Sequence, residues 1–182
     1  MTIRVSKKTF PLARVYTLLE PGPVVLITTA RRRALNIMAQ SWHTMMEFEP
    51  PLVGCIISGR NHTFDTLIAT RECVINIPTV ELVKQVVSIG NCSGNKVDKF
   101  ALTGLTPLEA SQVKAPLIAE CFANLECKLV NTRLVNSYNF FILGVIKAWT
   151  NPAIKMPKTL HHRGNGEFMI GGILIKLPSR MK

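Results

Sequence analysis

The sequence predicts a mainly β domain with short connecting helices, closer to a barrel than to a doubly wound sheet. Apolar runs bounded by Pro or Gly dominate its first half, at 24–29, 52–57 and 73–77. Because these runs are continuous rather than alternating, we expect their strands to be largely buried on both faces. No Gly-x-Gly-x-x-Gly motif follows a strand, which argues against a Rossmann-type sheet.

The second half continues the pattern, with further strands predicted at 121–130, 138–149 and 166–177. The predicted helices are 63–70, 80–87 and 96–103. Thr79 is the expected N-cap of the second helix, and Gly104 the expected end of the third. Cys121 and Cys127 lie an even number of positions apart, so we expect two buried thiols on one face of a strand.

Length and composition predict one domain over residues 1–182. Of the 182 residues, 47% are hydrophobic and 18% charged, which suits a packed core and excludes a disordered chain. No apolar run is long enough to cross a membrane, and residues 1–8 lack the apolar stretch of a secretory signal. The 5 cysteines show no Cys-x-x-Cys spacing, so we expect free thiols in a reducing cytoplasm.

The net charge of +11 is concentrated at the two ends of the sequence, 1–33 and 147–182. A basic surface attracts nucleic acids, phosphorylated cofactors and acidic proteins. No helix-turn-helix, zinc-finger or RNP motif accompanies the charge, so nucleic acid is not the expected partner. A solvated basic face remains the simplest alternative.

One segment that carries chemistry follows the first strand and runs from a basic turn, 31–33, to Trp42. Asn36, Gln40 and Ser41 supply donors and acceptors, and Trp42 an apolar wall. A large flat ring such as an isoalloxazine needs both. The same residues also fit a hairpin with a packed tryptophan and satisfied turn polars, and that alternative stays open.

Two further segments suit an anion. Ser58 to Phe64 leads from a buried strand into a helix, whose N-terminus, with Arg60 and Thr63, would favour a phosphate. The polar turn before Lys99 brings another cation. Ordinary helix capping and a solvated loop are the alternatives. The adjacent His161 and His162 make a poor chelating pair, so we expect no metal site and place them at the surface or lining a pocket.

Together these segments resemble the flavin reductase-like family, which includes flavoredoxins, over nearly the whole chain. The matching runs are 14–29, 36–42, 50–53, 58–63, 72–78, 93–100, 115–120 and 144–146. The resemblance implies an FMN-binding split β-barrel, usually a homodimer with the flavin near the subunit interface. It departs at Arg31–Arg33, where many relatives carry an Asp/Gly turn, and these arginines could instead meet a nicotinamide cofactor's phosphate or an acidic protein.

The family pattern also implies the residues that bind the cofactor, FMN in preference to FAD. Those around the isoalloxazine would be Asn36, Gln40, Ser41 and Trp42. Those at the ribityl phosphate would be Ser58, Arg60, His62, Thr63 and Lys99. Those closing the pocket would be Asn76, Ser93 and Gly94.

The activity we expect is NAD(P)H-dependent flavin reduction, in which the cofactor does the chemistry and the protein positions two rings. His43, His161 and Trp42 are candidates to line the hydride face. The alternative is a flavoredoxin-like carrier reduced by ferredoxin rather than by NAD(P)H, steered to the basic ends of the chain. A monooxygenase or another acidic redox protein would be the partner. A basic module without a flavin is a third possibility.

Overall fold

The computed structural model describes residues 22–173 and Leu177. The strands are β1 (Val25–Arg31), β2 (Ala34–Gln40), β3 (His43–Glu47), β4 (Leu52–Ile56), β5 (Glu72–Ile77), β6 (Pro107–Leu108), β7 (Leu117–Ile118), β8 (Ala123–Asn131), β9 (Phe140–Thr150), β10 (Leu160–Gly164) and β11 (Glu167–Ile170). The helices are α1 (His62–Thr70), α2 (Val83–Gly90), α3 (Lys99–Thr103) and α4 (Val135–Tyr138), and a 3₁₀ turn, Val80–Leu82, leads into α2.

A 7-stranded antiparallel sheet in the order β2-β1-β5-β8-β9-β4-β3 forms the body of the fold. All of these strands except β3 contribute to one buried cluster, whose members include Ile27, Met38, Cys55, Ile75 and Phe141. Since side chains from both halves of the sheet meet in this cluster, the sheet curls around it as a barrel. The predicted mainly β, barrel-like fold is confirmed.

A second buried cluster covers the other face of β1 and β2. It packs Leu26 and Ile37 of the sheet against Val86 and Ile89 of α2 and Phe100 of α3. Strand β1 is therefore buried on both faces, as its continuous apolar run predicts. Because α2 lies over β2, the sheet edge formed by β2 is partly roofed by a helix, and this arrangement creates the cavities described below.

The helix boundaries differ from those predicted. Helix α2 starts later than residue 80 and runs on to Gly90. Helix α3 begins at Lys99 rather than at 96, because the Asp98 carboxylate caps it by accepting a hydrogen bond from the Ala101 amide at 3.1 Å. Gly104, at φ 68°, ends α3 as predicted.

The strand predicted at 166–177 is shorter in the structure, where β11 covers Glu167–Ile170. Residues 174–176 lie outside the described part of the chain. Thr79 precedes the 3₁₀ turn, but its hydroxyl donates to the Glu81 carboxylate instead of accepting a backbone N–H. None of the helices in residues 22–173 is long and apolar enough to cross a membrane.

The prediction that Cys121 and Cys127 share one face is wrong. Cys121 lies before β8 and packs in the second cluster, whereas Cys127 lies on β8 inside the barrel. Both are buried and unbridged, as expected, and burial raises the pKa of the Cys121 thiol.

Candidate functional site

A cavity of about 370 Å³ lies at the Gln40 end of β2 and is referred to here as the ring cavity. It is bounded by the end of β2, the turn after it, α2 and the β10–β11 hairpin. The lining residues that the argument uses are Gln40, Ser41, Trp42, Val86, His162 and Phe168. Its size and largely apolar walls suit a planar aromatic ligand of a few fused rings.

Polar groups in the ring cavity are held by the turn that joins β2 to β3. The Gln40 amide donates to the carbonyls of Trp42, at 2.6 Å, and Ile56, at 3.2 Å. This fixes the side chain so that its Oε1, which is buried, has no partner. Trp42 is 50% exposed and lines the cavity, so it is not the packed core tryptophan of the hairpin alternative.

A smaller cavity of about 110 Å³ lies further along β2, and we call it the anion cavity. It brings together seven predicted site residues that are far apart in sequence. These are Asn36, Arg60, His62, Thr63, Ser93, Gly94 and Lys99. Among the described residues that line it none is acidic, while Arg60 and Lys99 are cationic. At about 3.3 Å per strand residue, Asn36 and Gln40 mark points roughly 13 Å apart.

The N-terminus of α1 faces the anion cavity. The helix starts at His62, and its N-cap residue, Asn61, makes no side-chain capping bond. Helix α1 is thus left with backbone N–H groups and a positive dipole end directed at a site that Arg60 also lines. This arrangement favours a phosphate or another compact anion.

Asn36 contributes an unsatisfied acceptor to the same cavity. Its Nδ2 donates to the Thr63 hydroxyl at 2.9 Å, while its Oδ1 is buried and has no partner. Thr29 pairs with Asn36 across β1 and β2, and its buried hydroxyl is also without a partner. An unpaired buried polar group costs about 1–3 kcal/mol. Such groups next to a cavity indicate a polar ligand.

Gly94 closes the anion cavity by a close backbone approach. A Cβ at this position would collide with the Asn36 carboxamide, lying 2.8 Å from its Cγ, and would stand 3.3 Å from Cδ2 of His62. Only glycine therefore leaves Asn36 in its present orientation. The backbone of the loop 92–94 is close enough to touch a bound group directly.

Lys99 lies almost fully buried at the base of the anion cavity. Its ammonium donates to the Ile89 carbonyl at 2.9 Å, in the last turn of α2, where the helix dipole favours a cation. Burial lowers the pKa of this amine below its ordinary value. The bond to Ile89 leaves further N–H groups of Lys99 to donate to an anion.

Two predicted cofactor-binding residues are not brought into either cavity. Ser58 lies in the turn before α1, where its hydroxyl accepts from the Arg60 amide at 3.3 Å. Asn76 is fully buried within a hydrogen-bonded network under the sheet. Its amide donates to Leu26, and its carbonyl accepts from Ile118 and Asn124. The side chain of Asn76 therefore ties β5 to its neighbours rather than facing a ligand.

The histidine facing the ring cavity is not among those expected at the hydride face. His43 donates from Nε2 to the Pro23 carbonyl at 2.7 Å, and His161 contacts the Thr159 hydroxyl at 2.9 Å. His162 instead lines the ring cavity and packs against Phe168, with ring centroids 5.1 Å apart. Of the two positions predicted for the histidine pair, at the surface or lining a pocket, His162 takes the second.

Sequence reasoning missed the side chains that α2 and β11 contribute. Val86 and Val87 of α2, Gly90 at its end and Phe168 on β11 all line the ring cavity. In the sequence they look like the apolar face of a helix and an ordinary strand residue. The polar loop after α2 was the available signal that this helix lies near the site, because Cys92 and Ser93 of the loop line the anion cavity.

A family described as flavin reductase like domain matches residues 18–168. The chain belongs to the flavin reductase-like family. An uncharacterised protein of Archaeoglobus fulgidus is 33% identical over 120 residues, which cover 66% of this chain and 68% of that protein. The family match includes every residue that lines the two cavities.

Solved structures agree with the flavin reductase-like family and with its split-barrel fold. An FMN-binding domain of a flavin reductase-like enzyme from Shewanella baltica is 28% identical, with a TM-score of 0.78 over 93% of this chain and 96% of that one. Flavoredoxin of Desulfovibrio vulgaris has a TM-score of 0.79 at 22% identity, covering 97% of both chains. At that identity the second match supports the fold alone.

Proposed function

We propose that the chain binds FMN and acts as an NAD(P)H-dependent flavin reductase. The isoalloxazine would occupy the ring cavity and the phosphate the anion cavity. The observation that carries this proposal is the pair of buried acceptors, Asn36 Oδ1 and Gln40 Oε1, that have no partner in the protein and lie at these two cavities. The Shewanella baltica relative, described as FMN-binding, supports it.

The donor set fits FMN at both ends. Arg60, Lys99 and the start of α1 would hold the phosphate, and Thr63 can donate its hydroxyl. Unpaired acceptors such as Gln40 Oε1 suit the N–H of a pyrimidine-like ring edge. When bound, FMN would supply the redox chemistry by accepting hydride from NADH or NADPH.

The residues of the chain would position two rings and exclude water. Trp42 and the His162–Phe168 pair all line the ring cavity, so a nicotinamide would meet side chains with flat aromatic faces there. Hydride transfer needs no acid or base from the protein, and within residues 22–173 none of the groups with a shifted pKa lines the ring cavity. Positioning is therefore the main contribution of this chain.

The test begins with the visible spectrum of the purified protein and its change on anaerobic addition of NADH or NADPH. We expect a flavin spectrum that either donor bleaches. Arg60→Ala and Lys99→Met should each weaken FMN binding about tenfold or more, because each removes a charged contact to the phosphate. Arg133→Ala, which removes an exposed charge that lines neither cavity, is the control.

Absence of flavin uptake would refute the proposal as a whole. Flavin uptake without bleaching by either nicotinamide would favour the flavoredoxin-like carrier, which the net charge of +11 supports. In that case a ferredoxin system should reduce the flavin at a rate that falls steeply with salt.

We also propose that the chain is a homodimer. Four apolar side chains on neighbouring strands are exposed: Met46 on β3 (44%), Ile56 on β4 (37%), Val130 on β8 (52%) and Ile146 on β9 (46%). Ile56 also lines the ring cavity, so a second subunit on this apolar face would lie beside the flavin. Light scattering should give twice the mass of one chain for the wild type. The Ile146→Glu variant should give the mass of a single chain. A wild-type monomer would refute this part.

The location of the protein in a reducing cytoplasm remains a prediction.

A further inference from the structure

A third cavity of about 580 Å³ continues along β2 beyond the anion cavity, and we call it the outer groove. It runs from the β1–β2 turn to the start of β6. The lining residues that carry the argument are Arg33, Leu35, Lys96, Val97, Asp98 and Phe100. Gly94 lines both the anion cavity and the outer groove, so the two cavities are neighbours at this residue.

The chemistry of the outer groove is mixed in a way that suits a nucleotide. Arg33 and Lys96 supply cations for phosphate. Asp98 already caps α3, yet a carboxylate accepts several hydrogen bonds and can take one more from a sugar hydroxyl. Leu35 and Val97 are 38% and 37% exposed and offer an apolar surface to a base. A purely anionic partner would not favour Asp98 at this position.

The backbone at Arg33 is held in an unfavourable conformation. Arg31 pairs with Ala34, so Arg32 and Arg33 form a two-residue hairpin loop, and their φ angles are 49° and 69°. Asn-Gly or Gly-Gly is the usual choice at these positions, because arginine is strained at positive φ. Strained residues of this kind concentrate at binding sites. Arg32 shares this strain, and of the two only Arg33 lines the outer groove.

We propose that the outer groove binds the phosphorylated adenosine half of a dinucleotide. The proposal rests on the proposed function, because the groove adjoins the cavity proposed for the phosphate of FMN. FAD continues from that phosphate into a second phosphate, a ribose and an adenine, and the groove offers cations, a carboxylate and apolar side chains to these groups. A nicotinamide dinucleotide carries the same group and is the other source of it.

The experiment compares the affinities of the full-length protein for FMN, FAD and ADP by titration calorimetry. Arg33→Gly and Lys96→Ala should each weaken FAD and ADP binding about tenfold, the effect of one lost charged contact. FMN affinity should change by no more than about twofold, because neither residue lines the anion cavity. The melting temperature of Arg33→Gly should equal or exceed that of the wild type, since the strain is removed.

Arg32→Gly and Lys84→Ala are matched controls. Arg32→Gly removes the same charge and strain one residue away, and Arg32 does not line the groove. Lys84 is an exposed cation on α2. Both should leave the affinities for FAD and ADP unchanged within about twofold.

The outcomes separate the two sources and the two proposals. If FAD affinity is insensitive to Arg33→Gly while NADPH binding to the FMN-loaded protein falls about tenfold, the adenosine half is that of the nicotinamide donor. If flavin never binds but ADP does, through Arg33, the proposed function fails and the groove stands. If ADP, FAD and NADPH affinities are all insensitive to Arg33→Gly and Lys96→Ala, or if Arg32→Gly acts equally, the inference is overturned.

Discussion

Gly94→Ala tests the anion cavity with the smallest possible change. The added methyl group would collide with the Asn36 carboxamide, so that side chain must turn away. Turning breaks the 2.9 Å bond from Asn36 Nδ2 to the Thr63 hydroxyl and withdraws the unpartnered Oδ1 from the cavity. The clash is with the tip of a side chain, so the backbone need not move.

The expected size of the effect follows from these contacts. The broken hydrogen bond is worth about 1 kcal/mol, and the lost contact from Asn36 Oδ1 to the ligand about 1–2 kcal/mol. Together they predict FMN binding weaker by about 2–3 kcal/mol, or roughly 30- to 150-fold. The free energy of unfolding of the ligand-free protein should fall by only about 1 kcal/mol, since one internal hydrogen bond is lost.

The assay is quenching of FMN fluorescence on titration, with urea unfolding measured in parallel. Gly59→Ala is the matched control, because a Cβ there would meet nothing closer than the Asn139 side chain at 4.0 Å. We expect it to bind FMN as the wild type does. Equal affinity of Gly94→Ala and Gly59→Ala for FMN would show that the phosphate does not occupy this cavity.

Three further predictions concern titration, stability and reactivity. Burial lowers the pKa of Lys99 below its ordinary value of 10.5, so the ammonium loses its proton before the pH reaches 10.5. The affinity for FMN should therefore be highest at neutral pH and should fall as the pH rises towards 10.5. Lys99→Arg should move this fall to higher pH, and an unchanged profile would exclude Lys99 as a phosphate ligand. Burial of Glu126 would raise the pKa of its carboxyl, but hydrogen bonds from Trp149, Gln112 and Ser111 hold it below the ordinary value of 4.5. The stability that Glu126 contributes is therefore present above pH 4.5 and lost as the pH falls through the lower, folded-state value. At neutral pH Glu126→Gln should cost about 2–3 kcal/mol in urea unfolding, because an NH₂ group would face N–H donors, and an effect no larger than that of the exposed Glu109→Gln would contradict this. Cys92 is the one cysteine of the chain that is not buried, and it lines the anion cavity, so iodoacetamide should modify it first and FMN should slow the reaction. Equal rates with and without FMN would place the ligand elsewhere.

The strands that sequence reasoning found are those that contain a continuous apolar run. Both β1 and β5 were predicted, because other residues end the apolar run on each side. The runs are Val25 to Ile27 in β1 and Val74 to Ile75 in β5. Strand β2 was not predicted as a strand, because Asn36 and Gln40 occupy buried positions on it. Polar residues there break the hydrophobic pattern, and the reason for them is a cavity that the sequence cannot display.

Asn36 and Asn76 show where residue-by-residue prediction of the site ends. Both are buried asparagines on antiparallel strands, and the family pattern implied both as cofactor contacts. Asn76 finds partners for its amide and its carbonyl within the protein, whereas Asn36 keeps one oxygen unpaired. The difference depends on which main-chain groups the fold brings within 3 Å, and local sequence does not encode that distance.

Strand β2 and its turn violate local rules in four places, three of which lie at the row of cavities. Arg32 and Arg33 are at positive φ, and Asn36 and Gln40 each bury an oxygen without a partner; all but Arg32 line a cavity. Each costs on the order of 1–3 kcal/mol in the ligand-free chain. A strand selected for stability alone would carry Asn-Gly in the turn and apolar residues at the other two positions. Their coincidence along one edge strand is what the proposed FMN site requires, because a bound ligand with a ring at one end and phosphate beyond it would offset these costs.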